Sequence, residues 1–306
     1  MKKILAFLSL TAFIFSCTET DLLDETGKME LTEFNLPLLP ENYFYEGWLL
    51  VDGYYVSVGR ITNDSLLNNR ARFSEIEVND LNAAQSFALT VESSGSPAPS
   101  NYVLLAGNFD GNTANLKSDT ELSNGVSTLA KRISAAYTVQ NASVPEANQN
   151  EYGVNGVWFF KGVGNLAETT LQLEYGDIKY QAWLIKTVNN LDYNLNIGVI
   201  DNDTIADNSR MFIPSAFASN IPDFPGEDFL QLPSNTDSSY PEGFFPVDVR
   251  GSKLILTPIP TGYNQIEIPF PITLLEAEIP VDAQKNPDLT REMSINTQFG
   301  AKAIKL

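Results

Sequence analysis

Apolar and polar positions sort the chain into three textures. Ile4 to Phe15 is an almost unbroken apolar run, and Thr18 to Glu33 is polar and acidic. Beyond that, short aromatic and β-branched runs are punctuated by turn residues. Phe44 to Val51 stops at Asp52-Gly53, a strong hairpin signal, and Tyr54 to Ile61 supplies the returning strand, with Gly59 at a bulge or a close approach. Ser86 to Glu92 and Tyr102 to Ala106 read as further strands across a Ser/Gly/Pro loop. Only Gly125 to Tyr137 has the spacing of an amphipathic helix, and it is short. Short strands with turns between them predict an all-β chain of sandwiches or barrels.

The strand pattern repeats. Tyr45-x-x-Trp48-Leu49-Leu50 recurs as Tyr180-x-x-Trp183-Leu184-Ile185, and Val58-Gly59-x-Ile61-x-Asn63-Asp64 as Ile197-Gly198-x-Ile200-x-Asn202-Asp203. Phe87-Ala88-Leu89-Thr90 has a counterpart in Leu254-Ile255-Leu256-Thr257. The same elements in the same order predict two related β-sandwich-like modules in tandem, residues 34–148 and 149–281. Asn141 to Tyr152, polar and bearing Pro145, reads as a linker between them, and residues 282–306 as a C-terminal tail.

The first texture changes the picture of where the protein works. Lys2 and Lys3 precede the apolar run, and Ile14-Phe15-Ser16-Cys17 closes it. This is the order of a secretory signal with a lipoprotein cleavage site, so residues 1–16 read as a signal peptide cut before Cys17. About 12 apolar residues fall short of the roughly 20 that a membrane helix needs. Cys17 is the single cysteine of the chain, at the position where lipid modification requires one. Residues 17–33 are then the lipidated cysteine and its tether, and the membrane is a partner through that lipid. The expected location is the cell envelope, at the outer membrane, periplasmic or surface-exposed. Glu19 and Asp21 resemble the surface-export signals of Bacteroidota lipoproteins, although an ordinary flexible tether has the same composition.

Charge and composition then remove options. A formal charge of −19 repels nucleic acid and anionic headgroups. The absence of histidine excludes Ser-His-Asp and Cys-His nucleophiles and His-based metal sites. An enzyme would have to work with carboxylates, Lys, Tyr or Ser alone, and no cofactor is expected.

A family pattern runs through the same residues. Leu36-Pro37-x-Leu39-Pro40, Tyr45-Glu46-Gly47-Trp48, Asp52-Gly53 and Val56-Ser57-x-Gly59-Arg60 are followed by Gly156-Val157-Trp158-Phe159. Then come Phe224-Pro225-Gly226-Glu227-Asp228-Phe229, Phe245-Pro246-x-Asp248-Val249-Arg250-Gly251 and Ile268-Pro269-Phe270. On these motifs, most of residues 36–275 resembles the extracytoplasmic domain of anti-sigma-K factors, in the form that carries the domain twice. Val58 and Ile61 depart from the Thr and Phe of that pattern, and Gln181-Ala182 replaces the Glu-Gly of the first copy. The resemblance implies the fold of a sensory or binding module. Direct anti-sigma activity does not follow, because that needs a cytoplasmic segment joined through a membrane helix, and neither is expected here.

Candidate sites are few. Asp223, Glu227 and Asp228 surround the Pro225-Gly226 turn. An acidic turn of this kind either holds Ca²⁺ or, more simply, caps exposed backbone N–H groups. Asp248 and Arg250 alternate about Val249 and share a face, as a surface ion pair does. Asp201 to Asp207 has EF-hand-like acids, but Ile205 stands at the third ligand position and no glycine follows it. Tyr54 and Tyr55, beside the Asp52-Gly53 turn, are the aromatics expected to offer a surface to a glycan or protein ligand. No catalytic residue and no metal ligand is nominated. The expected function is a non-enzymatic envelope lipoprotein acting in binding, sensing or structure. Two alternatives stay open: a partner in an anti-sigma-factor signalling system acting through another membrane protein, and an acid-only hydrolase.

Overall fold

The computed structural model describes residues 26–93, 99–176, 178–234, 240–264 and 267–306. The expected signal peptide and Cys17 lie outside the described residues. The chain is all-β, with several sheets, as its strand and turn pattern predicts. The first seven strands are β1 (Thr26–Thr32), β2 (Tyr43–Val51), β3 (Tyr54–Ile61), β4 (Arg70–Glu77), β5 (Ser86–Ser93), β6 (Val103–Asp110) and β7 (Thr113–Lys117). Next come β8 (Ser134–Val139), β9 (Gly156–Trp158), β10 (Phe160–Lys161), β11 (Glu168–Thr169), β12 (Leu171–Gln172), β13 (Ile178–Val188) and β14 (Leu191–Ile200). The last are β15 (Gly226–Asp228), β16 (Lys253–Pro260), β17 (Leu275–Glu278), β18 (Asn286–Glu292), β19 (Ser294–Ile295) and β20 (Gly300–Lys305).

The largest sheet has the order β3-β2-β5-β6-β7-β20-β1-β4 and is nearly barrel-like. Its edges approach each other at Gly59 on β3, where an added Cβ would lie 3.5 Å from the Phe73 ring on β4. β4 shows why the curl forms: Ala71, Phe73 and Ile76 are buried while Arg70, Arg72 and Glu77 are exposed, so one face must turn inward. β2 and β5 are buried on both faces. Leu49 and Phe87 join the interior, while Leu50 and Ala88 lie under a cover that includes Leu122.

Two segments depart from the sequence-based expectation here. Residues 26–32, inside the expected tether, form β1 between β20 and β4. Met29 and Leu31 enter the core and Glu30 faces Arg70 and Arg72, so an alternating strand lay hidden under an acidic composition. Residues 282–306, expected as a tail, contribute β18, β19 and β20, and Ala303 on β20 sits between Ala114 and Leu31.

The repeated motifs occupy matching frames. β2 lies between β3 and β5, and β13 between β14 and β16, all antiparallel. In both, the register slips at the residue before the tryptophan, between Gly47 and Trp48 and between Ala182 and Trp183. Phe87 pairs with Leu49 as Leu254 pairs with Leu184. The two tyrosines also match: Tyr45 Oη donates to the carbonyl of Pro37 and Tyr180 Oη to that of Glu174, each at 2.8 Å.

The middle of the chain differs from expectation. Within the expected helix Gly125 to Tyr137, only Leu129–Arg132 is helical, and Ser134–Val139 is strand β8. Ala135, Tyr137 and Val139 there enter the core, and β8 is hydrogen-bonded to β9, β12 and β18. Strand pairing on both sides outweighs the weak helical spacing. Nor is 141–152 a loose linker, since Asn141, Ser143 and Val144 are buried. One contiguous apolar core runs from Met29 to Ala303 and takes residues from both repeats. Among the described residues, no helix is long and apolar enough to cross a membrane.

Candidate functional site

A cleft of about 550 Å³ opens where residues 140–149, the hairpin of β10 and β11, the 220–224 turn and residues 285–287 meet. That volume falls within the roughly 300 to 1,000 Å³ typical of small-ligand sites. Phe160 and Phe224 form its aromatic side, stacked at 4.9 Å with an interplanar angle of 21°. Val163 and Ala167 extend the apolar lining along the hairpin. Gln140, Gln149, Asn220, Asp223 and Lys285 add polar groups to the lining. Lys285 Nζ donates to the carbonyls of Gln149 (2.8 Å) and Tyr152 (3.1 Å). An ammonium has three donors, so one remains for the cleft.

Behind the walls lies a group of buried acids. Asp228 Oδ2 accepts from the backbone N–H (2.8 Å) and hydroxyl (2.6 Å) of Ser143, in the 140–149 wall. Its Oδ1 accepts from Trp158 Nε1 at 2.8 Å, and Trp158 meets Phe160 edge-on at 5.8 Å. Asp207 Oδ2 accepts from the Gly226 N–H, at the root of the Phe224 turn, and Oδ1 from the Ser209 N–H, both at 2.8 Å. Between them on β15 is Glu227. Its Oε2 is 3.5 Å from Ser209 Oγ, and its buried Oε1 has no hydrogen-bond partner among the described residues.

Two glycines make this crowding possible. A Cβ on Gly156 would fall 1.9 Å from Asp228 Oδ1, and one on Gly198 would fall 2.0 Å from Asp207 Oδ1. Burial pushes Asp207 up to about 7 against the N–H bonds and the charge of Arg210 that draw it down. Burial likewise pushes Asp228 up to about 6, against its bonds from Ser143 and Trp158. Glu227 is driven well above the usual carboxylate range, first by burial and then by the charges of Asp207 and Asp228. Burial of this kind favours the protonated, neutral form of the carboxyl.

Each site residue read from the sequence has a definite place. Asp223 is exposed on the cleft rim, but Glu227 and Asp228 are fully buried on a strand, paired with β9. The acidic turn is therefore split between surface and core. Among the described residues, no group of three or more acids, cysteines or histidines is arranged to hold a metal ion. Tyr54 is 51% exposed and donates to Asp80 Oδ1, whereas its neighbour Tyr55 turns to the other face and meets Trp48 edge-on at 6.2 Å. Alternation along β3 keeps the two from forming one surface. Asp248 and Arg250 do pair, with Arg250 Nε 2.9 Å from Asp248 Oδ1.

The sequence reading missed Asp207, Ser143, Trp158 and Lys285 as parts of one site. Their hydrogen bonds join positions far apart in the chain, so no local spacing announces them. Gly156 and Gly198 were the available signals, glycines within strands at which a carboxylate comes close. No family model, curated protein or solved structure matches this chain.

Proposed function

We propose that this protein is a non-enzymatic, lipid-anchored module of the cell envelope that binds a ligand in the cleft beside Phe224. The address rests on Lys2, Lys3, the apolar run and Cys17. The motifs resembling the extracytoplasmic domain of anti-sigma-K factors favour a sensory or binding role. One observation carries the binding reading. The cleft presents an aromatic wall and polar rim groups to solvent, while the perturbed acids behind it are buried at 0 to 7% exposure and point into the protein. Groups sealed in this way position other groups and do not meet a substrate.

Thermal-shift titration of the intact chain against separate saccharide and peptide panels tests the reading, with Asn220→Trp as a rim-blocking variant. Saturable stabilisation lost in N220W is the expected result. Turnover of a panel member, or equal stabilisation of both proteins, overturns it. For the address, loss of membrane association in Cys17→Ser is expected, and retention counts against the anchor.

A further inference from the structure

We infer that the cleft beside Phe224 takes a neutral saccharide, one sugar ring lying against Phe224 and its hydroxyls meeting Lys285, Gln149 and Asp223. This names a ligand class for the binding reading above and rests on it.

The apolar contact is a braced ring. Phe160 is buried, with Trp158 edge-on to it and Phe224 stacked on it, so Phe224 is the ring left partly open in the lining. Support from behind holds that ring in one plane before any ligand arrives, which lowers the ordering cost of binding. An aromatic face carries negative partial charge and attracts the weakly positive C–H groups on one face of a pyranose.

The polar groups are of both kinds. Gln149 Nε2 commits both hydrogens to the carbonyls of Asn141 (2.8 Å) and Val144 (2.7 Å), so Oε1 is what it offers the cleft. Asp223 adds an exposed acceptor and Asn220 an exposed amide. Lys285 Nζ supplies a donor, the N–H left over from its bonds to the Gln149 and Tyr152 carbonyls. A hydroxyl both donates and accepts, so neighbouring hydroxyls of one ring satisfy the ammonium and the carbonyl and carboxylate oxygens together.

Two other ligand classes fit less well. Lys285 and Asp223 are the single cation and single acid of the lining, and their charges cancel. A phosphate or polycarboxylate would find one ammonium and a like charge beside it. An extended peptide needs a run of unpaired backbone groups to pair with. Here β10 is already paired with β11, Gly162 N–H donates to the Pro287 carbonyl at 3.0 Å, and Ala167 N–H to that of Gly164 at 3.1 Å. Pro222 and Pro287, also in the lining, have no N–H to give.

Saturation-transfer NMR on the intact chain tests this with three probe sets. The first holds the methyl pyranosides of glucose, galactose, mannose and xylose, with cellotriose and maltotriose. The second holds glucuronic acid and glucose 6-phosphate, and the third capped dipeptides of alanine and phenylalanine. At least one neutral saccharide should bind, with transfer from protein aromatic protons strongest at the C–H groups of one ring face. Phe224→Ala should weaken that binding at least about tenfold. Asn220→Trp, which leaves Phe224 in place and blocks the rim, should abolish it, and this variant keeps the test open if F224A does not accumulate. Saccharide binding that N220W leaves unchanged, or that shows no aromatic transfer, overturns the inference. Binding of only the charged or only the peptide probes, blocked in N220W, overturns it while the binding cleft stands. No binding by any probe overturns it together with the reading on which it rests.

Discussion

Glu30, on the outward face of β1, is the counterweight to the buried trio. Both nitrogen arms of Arg70 and the Nε of Arg72 reach its carboxylate, and the bonds from Arg70, chief among these causes, hold it down to about 2. Its contribution to stability is complete above its ordinary 4.5 and is lost as pH falls toward 2. Asp207 and Asp228 have the opposite sign. Their folded values of about 7 and about 6 lie above the ordinary 3.8, so stability is complete below 3.8 and is lost as pH rises to about 7. The urea midpoint should therefore peak near about pH 4 to 5 and decline on both sides. Glu30→Gln should flatten the acid limb and Asp207→Asn the neutral one. A midpoint that climbs steadily to pH 8 contradicts this assignment. Gly198→Ala belongs to the same scale: its Cβ would enter the Asp207 carboxylate, and a loss of about 2 kcal/mol or more is expected in urea unfolding. Gly53→Ala, at a positive φ with nothing within 4 Å, should cost only about 1 kcal/mol.

Among the elements, the two tryptophan strands have drifted apart in a measurable way. Trp48 Nε1 donates to Thr90 Oγ1 at 2.8 Å, whereas buried Trp183 Nε1 has no partner among the described residues. In the second frame Thr257 donates instead to the carbonyl of Gln181. Both rings are buried, so Trp→Phe removes similar volume, and Trp48→Phe should cost about 1 kcal/mol more than Trp183→Phe. Equal losses by denaturant titration would show that the Trp48 bond contributes nothing. These strands were legible from sequence because aromatic and β-branched runs ended in recognisable turns, and because each motif appeared twice. β1 was not, since Thr26–Thr32 has an apolar alternation only two residues deep and its glutamate is neutralised by arginines more than 35 residues away. The 141–152 segment was misread for a related reason. Its polar residues are buried by partners such as Asp228, and sequence gives no view of a partner 85 residues distant.

For the whole molecule, the decisive feature is that β20 fills the space between β7 and β1. Removing residues 300–306 should expose two unpaired edges and the interior around Ala114, Leu31 and Met29. Hydrogen exchange of the truncated chain should show β1 and β7 unprotected while β13 and β16 retain more protection. Uniform protection would mean that the sheet closes without β20. The all-β class was legible at this scale, but the way the end of the chain returns to its beginning was not, because Gly300–Lys305 is short and rich in alanine and lysine. That return also sets an order of events during synthesis. Chains grow at roughly 5 to 20 residues per second, so the partners of β20 wait many seconds while residues 118–299 are made. Through that interval β1 and β7 are open templates for any passing strand. Shielding of those two strand edges until Gly300–Lys305 arrives is therefore part of this protein's maturation.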